Sequence, residues 1–245
     1  VSREAELHVR LLRNTPEPER AVATAARLCY SPAGVEEIDQ RMDDAQVEKL
    51  VGKLVDLGHE SPFEHASFTF GVEGVSRALT HQLVRHRIAS YSQQSQRYVD
   101  ASGDNGFRYI VPPSVRDDAQ AYKRFTWVME RLADTYGRLG ADVPREDARY
   151  VLPNAAETKI VITMNARELW HFLQVRCCER AQWEIRAMAT EMLRILMGRF
   201  PLLFAHAGPG CVRGPCTEGT MTCGKAKEVK ERFARMCEDA APGDE

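Results

Sequence analysis

The sequence predicts an α+β fold. Apolar residues recur at helical spacing in two stretches, Val47, Leu50, Val51, Leu54 and Val55 in the first third and Leu169, Phe172 and Leu173 in the last. Between them Phe68, Phe70 and Val72 alternate with Ser67, Thr69 and Gly71, the two-residue period of a strand with one buried face.

Taken in order, LHVRLL is a short initial strand and PERAVATAARLCY a helix. EEIDQRMDDAQVEKLVGKLVDLG continues as helix and stops at Gly58, the residue best suited to the left-handed turn that ends one. FEHASFTFGVEG is the strand that holds nearby chemistry on a rigid element. From Ser76 a helix runs through Leu79 and Leu83, carrying His81, Gln82 and Arg85 toward its end, and a polar loop follows. Ser114 opens a second long helix, with Ser-x-x-Asp as its cap, through FTWVMERLADTYGRLG. KIVITM is the next strand. Asn165 with Glu168 three positions on is a capping-box signal for the last helix, whose stripe continues to Leu193 and Leu196. About thirty residues is long for a globular helix, so a break is expected near Cys178. These elements make one α+β domain over residues 1–207, followed by a Gly/Pro/Cys-containing extension, 208–245, with a short helix.

Composition bounds the function. With 245 residues, 44% of them hydrophobic, the chain can bury a sizeable core. Its 33 Lys plus Arg against 35 Asp plus Glu leave a formal charge of -2, so a basic site must be local, and general nucleic-acid binding gets little support. VSREAELHVRLLRN lacks the apolar run of a signal peptide and no segment approaches a membrane span, which makes the cytoplasm the expected compartment. Seven cysteines, an odd number, fit reduced thiols better than a disulfide framework.

The chemistry concentrates in RHRIASYSQQSQRY, residues 85–98. Arginine stays charged and offers a rigid fork of donors, so Arg85, Arg87 and Arg97 converging on one pocket suit a phosphate or another dianion. Ser90, Ser92, Ser95, Gln93, Gln94 and Gln96 add groups that donate and accept, as reading the imide edge of a heterocycle requires. Together they suggest a nucleotide; a merely hydrophilic, solvated loop is the other reading of the stretch taken alone. No local spacing supplies Ser95 with an activating base.

Arg-His-Arg, seven residues, then Ser95, extended by SQRY, resembles the signature of the flavin-dependent thymidylate synthase family. SPFEHASFTF, HQLVRHR, ARYVLP and NARELWHFLQVRCCERAQWEI reinforce the resemblance over residues 5–205. It implies a twisted, mostly antiparallel sheet flanked by long helices, assembled as a homotetramer with active sites shared between chains. It also implies transfer of the methylene of 5,10-methylenetetrahydrofolate to carbon 5 of dUMP. NADPH, through bound FAD, would supply the hydride, and dTMP and tetrahydrofolate would leave. By the family pattern Arg85, His86 and Arg87 bind FAD with His65 and Ser67 nearby, joined by Gln93, Asn165, Arg167 and His171. Gln82, Arg85, Gln93, Gln94, Ser95, Arg97, Arg149 and Arg176 surround dUMP, the backbone near Gln94 and Ser95 donating to its phosphate. Arg176 and Ser95 are the residues closest to the chemistry: the arginines stabilise negative charge on the activated pyrimidine while N5 of the reduced flavin lies opposite it, and Ser95 orients dUMP without bonding to it.

Two departures from the family pattern stand out. Family members often carry Asn where this chain has His171 and Glu where it has Gln93, and an amide cannot serve as a carboxylate base. Cys177 and Cys178 read as packing residues, since adjacent positions on a helix do not share one pocket. His206, Cys211, Cys216 and Cys223 lack standard zinc-knuckle spacing, so no metal is expected. Neither a Rossmann nor a P-loop glycine motif occurs. The competing readings are a regulatory nucleotide-binding module and a flavin- and folate-dependent RNA-modifying enzyme.

Overall fold

The computed structural model describes residues 2–101 and 106–240. In chain order its elements are β1 (Ser2–Glu4), β2 (His8–Asn14), α1 (Pro18–Leu28), α2 (Val35–Arg41), α3 (Asp44–Leu57), a 3-10 turn (Ser61–His65), β3 (Ser67–Ser76), α4 (Arg77–Leu83), β4 (Ala89–Gln93) and β5 (Phe107–Tyr109). They continue with α5 (Pro113–Arg116), α6 (Ala119–Asp142), α7 (Arg145–Ala148), β6 (Glu157–Asn165), α8 (Ala166–Arg176), α9 (Trp183–Arg199), α10 (Pro201–Phe204) and α11 (Ala226–Ala240).

The architecture is α+β. Strands hydrogen-bond in the order β2-β3-β6-β4, and β1 pairs with β5 in parallel as a separate two-stranded sheet. Numbers rise along β3 as they fall along β6, with Thr69 opposite Thr163 and Gly74 opposite Glu157, so this central pair is antiparallel. Gly74 is required where it stands: its φ is +69°, and a Cβ there would lie 1.7 Å from the Glu6 carbonyl oxygen.

By contacts the chain divides into two compact units, to both of which β3, β4 and β6 contribute residues. One comprises residues 1–8, 71–85 and 91–161. Its core is Phe107, Tyr109, Val111, Met129 and Ala156, against which α6 packs Tyr122, Phe125 and Leu132. The other comprises residues 9–70, 86–90 and 162–245. There the inward face of β3 buries Phe68 edge-on to Phe200 and Phe204, with ring centroids 5.1 and 5.3 Å apart. The stripe of α8 (Leu169, Phe172, Leu173) and that of α9 (Ile185, Met188, Met192, Leu193, Leu196) are fully buried.

Several expectations need correction. The helix read through residues 36–58 is two helices, because Met42 is extended and the Asp43 carboxylate caps α3 by accepting from Gln46 N at 2.8 Å. Its stop is as read, with Gly58 at φ +67°. The second long helix starts at Ala119, not Ser114: the Asp118 carboxylate accepts from Gln120 N and Ala121 N at 2.8 and 3.0 Å, leaving the four-residue α5 upstream. His65 closes a 3-10 turn and stands before the strand. The polar loop after α4 contains β4, in which only Tyr91 has a marked strand preference of its own and which is held by pairing with β6. The last helix breaks as expected: α8 ends at Arg176, and Gln182 caps α9 by accepting from Glu184 N and Ile185 N.

Candidate active site

In the first unit the turn after β4 carries most of the nucleotide-reading residues. Ser95 Oγ accepts from Arg97 N at 3.2 Å. Arg97 closes on Glu146 with two donors, Nε at 3.0 Å and Nη2 at 2.9 Å, and Arg149 Nε donates to the Glu146 carbonyl at 3.1 Å. Two arginines distant in sequence thus meet at one residue of α7. Beside them Gln94, Ser95, Gln96, Arg108, Thr158 and Lys159 help line a cavity of about 260 Å³. One expected donor is already engaged: Gln94 N continues the β4 to β6 ladder by donating to Lys159 O at 2.9 Å, so the backbone of that residue does not face a phosphate.

Gln93 is half-buried, and its side-chain nitrogen donates to Thr80 Oγ1 and to Thr158 Oγ1, both at 3.1 Å. Gln82 lies half-buried on α4, and Arg85 projects exposed just beyond it.

In the second unit α8 places Glu168, Phe172 and Arg176 at i, i+4 and i+8, one face of the helix. His86, from the segment after α4, sits against that face and is 7% exposed. Arg176 Nε donates to His86 Nε2 at 3.0 Å, while His86 Nδ1 lies 3.3 Å from Glu168 Oε1. The Phe172 ring meets the imidazole edge-on at 5.0 Å, and the His171 ring lies 5.8 Å away. A guanidinium has no lone pair to offer, so Nε2 is unprotonated and the proton of the neutral ring is on Nδ1, the nitrogen 3.3 Å from Glu168. Energetics agree with that geometry. Burial first, then the charge of Arg176 and the neighbouring His171, lowers the His86 pKa to about 4, and burial raises that of Glu168.

Arg87, His65 and His171 are exposed, and Ser67 is half-buried at the start of β3. Asn165 Oδ1 caps α8 by accepting from Glu168 N at 2.8 Å, the cap role read from the sequence. Arg167 is paired with Glu64 and lies 3.7 Å from Glu60, which raises its pKa. Cys177 is fully buried and its thiol is pushed up to about 12 by desolvation, while Cys178 is partly exposed. Among the described residues no three His, Cys, Asp or Glu side chains are grouped to hold a metal ion.

Sequence reading missed Glu168, Glu146, Thr80 and Thr158. Glu168 did carry a signal, but as the third residue of a capping box; its carboxylate faces His86.

A family model described as thymidylate synthase complementing protein matches residues 10–202. The flavin-dependent thymidylate synthase of Geobacter sulfurreducens is 59% identical over 231 residues, covering 94% of this chain and 99% of that protein. That of Clostridium tetani is 51% identical, with coverage of 92% and 96%. Among solved structures, a UMP/dUMP methylase, PolB, from Streptomyces cacaoi bound with 5-Br dUMP superposes with a TM-score of 0.71 at 27% identity, covering 83% of this chain and 94% of that one.

Proposed function

The chain belongs to the flavin-dependent thymidylate synthase family and converts dUMP to dTMP through FAD; from this premise we infer how its residues divide the work. The observation that carries the assignment is the run of contacts from buried Glu168 through buried His86 to half-buried Arg176, which presents a guanidinium held by a neutral imidazole. Such a cation, fixed before substrate arrives, stabilises negative charge developing on a pyrimidine as carbon 5 is activated, and it needs no rearrangement during the step.

Arg97 and Arg149 are the residues for the dUMP phosphate, with Ser95 orienting the nucleotide and Gln82, Arg85, Gln93 and Gln94 beside it. The uracil ring is assigned to Arg176. No serine nucleophile is needed: the Ser95 hydroxyl accepts from Arg97 N, which suits orientation, not attack. The buried Cys177 thiol is protonated at neutral pH and is no nucleophile either.

The donor set fits FAD. Arg85 and Arg87 are exposed guanidiniums matched to a diphosphate, and His65, Ser67, His86, Gln93, Asn165, Arg167 and His171 are the residues assigned to flank it. When bound and reduced by NADPH, FAD would supply the hydride that turns the methylene donated by methylenetetrahydrofolate into the methyl group.

A homotetramer that shares active sites between chains is the proposed assembly, and the cytoplasm the proposed location. All seven cysteines are free thiols, as a reducing compartment favours, and among the described residues no helix is long and apolar enough to cross a membrane.

The test is chromatographic assay of dTMP after FAD-loaded protein receives dUMP, methylenetetrahydrofolate and NADPH. Product should require all three, and Arg176→Ala should reduce turnover by about a hundredfold or more, the usual loss for a preorganised charge-stabilising donor. Full turnover without Arg176 would remove it from the mechanism.

A further inference from the structure

We propose that Glu168 is a positioning residue for dUMP turnover: acting through the imidazole of His86, it fixes the direction in which Arg176 presents its guanidinium to the nucleotide. The inference rests on the reading that Arg176 meets dUMP, and it adds a residue that never touches substrate.

Glu168 is 6% exposed, in a place where a carboxylate is costly unless it has a partner. Its partner is His86 Nδ1 at 3.3 Å. A carboxylate only accepts, so it selects the imidazole tautomer with hydrogen on Nδ1 and a lone pair on Nε2. That lone pair receives Arg176 Nε–H at 3.0 Å. Holding Nε sets the rotation of the planar guanidinium, and the directions of its Nη donors follow.

Packing restrains the imidazole as well. Glu168, Phe172 and Arg176 share one face of α8, and the edge of Phe172 bears on the imidazole at 5.0 Å, so the ring lies between two residues of a single rigid helix. The buried carboxylate and the cation never meet directly. A neutral ring, polarised from both sides, joins them. Capping does not account for Glu168, since its backbone N–H alone meets the Asn165 cap while the side chain turns to His86.

Four measurements on the FAD-loaded protein test the inference: dUMP affinity by calorimetry, kcat and KM for dUMP, FAD occupancy, and the melting temperature. Glu168→Leu removes the acceptor on Nδ1–H, and dUMP affinity and kcat/KM are expected to fall about tenfold to a hundredfold, the scale for a misaimed group, with FAD occupancy retained. Glu168→Gln keeps an acceptor oxygen and should stay within about threefold of the parent. In an Arg176→Met background Glu168→Leu should cost nothing more, because no guanidinium is left to aim. Parent-like dUMP binding in Glu168→Leu, or an undiminished loss in the Arg176→Met background, overturns the proposal. If Glu168→Leu does not fold, the side-chain 15N signals of His86 in the parent decide: a protonated Nδ1 with a bare Nε2 is required, and the opposite tautomer overturns it. Failure of the parent itself to make dTMP, or full turnover by Arg176→Met, strikes instead at the reading of Arg176 on which this one rests.

Discussion

The side-chain amide of Gln93 donates to the Thr80 hydroxyl at 3.1 Å, and that hydroxyl has already given its own hydrogen to the Arg77 carbonyl at 2.9 Å. Thr80 can therefore only accept from position 93. The relation bears on a departure from the family pattern, in which glutamate is common at this position. Gln93→Glu would set an ionised carboxylate against an oxygen with no hydrogen to share, beside Thr80 and Thr158, both almost fully buried. Urea unfolding at neutral pH should show a loss of about 1–3 kcal/mol, the range for an unsatisfied buried polar group. The loss should shrink in acid, where the new carboxyl is protonated and can donate. Unchanged stability would mean that the two threonines reorganise without cost.

His86 gives the fold a pH dependence of known sign. Folded, its pKa is about 4, lowered by burial and then by Arg176 and His171; unfolded, it returns to about 6.5. Between those values the unfolded chain binds the extra proton. The contribution to stability is thus complete above about pH 6.5 and is lost as pH falls toward about 4, at no more than about 1.4 kcal/mol per pH unit from this one group. Glu168 works oppositely, its raised pKa favouring the folded state on the acid side and that favour fading as pH rises through it. Unfolding curves across this interval for the parent and for His86→Gln should differ in slope, the variant being flatter. Parallel profiles would show that His86 titrates normally in the folded protein.

How legible was this in the sequence? Patterns local to one element were readable: the alternation of Phe68, Phe70 and Val72, the Asn165 cap, and Gly58 at a helix end. β4 was not, because in Ala-Ser-Tyr-Ser-Gln the alternation rests on Tyr91 as its one bulky residue, too weak a signal without the ladder to a partner distant in sequence. Within the site the arginines were visible by type, but their partners were not. Glu146 meets Arg97 and Arg149 only once α7 is folded beside the turn after β4. Glu168 was hidden by its own double use, since a capping box accounts for a glutamate at that position and leaves no reason to look for a second contact.

Cysteine chemistry separates the buried thiols from the accessible ones. Cys177 is fully buried with its thiol pushed up to about 12, whereas Cys29 is exposed at the C-cap of α1. Maleimide treatment of the native protein, mapped by mass spectrometry, should label Cys29 and spare Cys177 until the chain is unfolded. Cys177→Ala should retain dTMP formation once its cavity cost is met by assaying below its melting temperature. Loss of activity in a folded, FAD-loaded Cys177→Ala protein would point to a thiol in the reaction and against the arginine-based assignment.

Glu146 and the dUMP phosphate compete for the same guanidinium. Arg97 holds Glu146 through both Nε and Nη2, yet each side chain is about half exposed, at 50% and 51%. Exposure of that order limits such a pair to roughly 1 kcal/mol or less, because water and salt screen it. If the phosphate takes Arg97 from Glu146 on binding, the broken pair is subtracted from the affinity. Glu146→Gln lowers that cost while its backbone carbonyl, the acceptor for Arg149, is untouched. dUMP should then bind up to about fivefold more tightly, the equivalent of 1 kcal/mol. Calorimetry at one fixed ionic strength measures it. Weaker binding by Glu146→Gln would show the opposite balance, with the carboxylate holding Arg97 in the geometry the phosphate needs and its preorganising effect exceeding the competition.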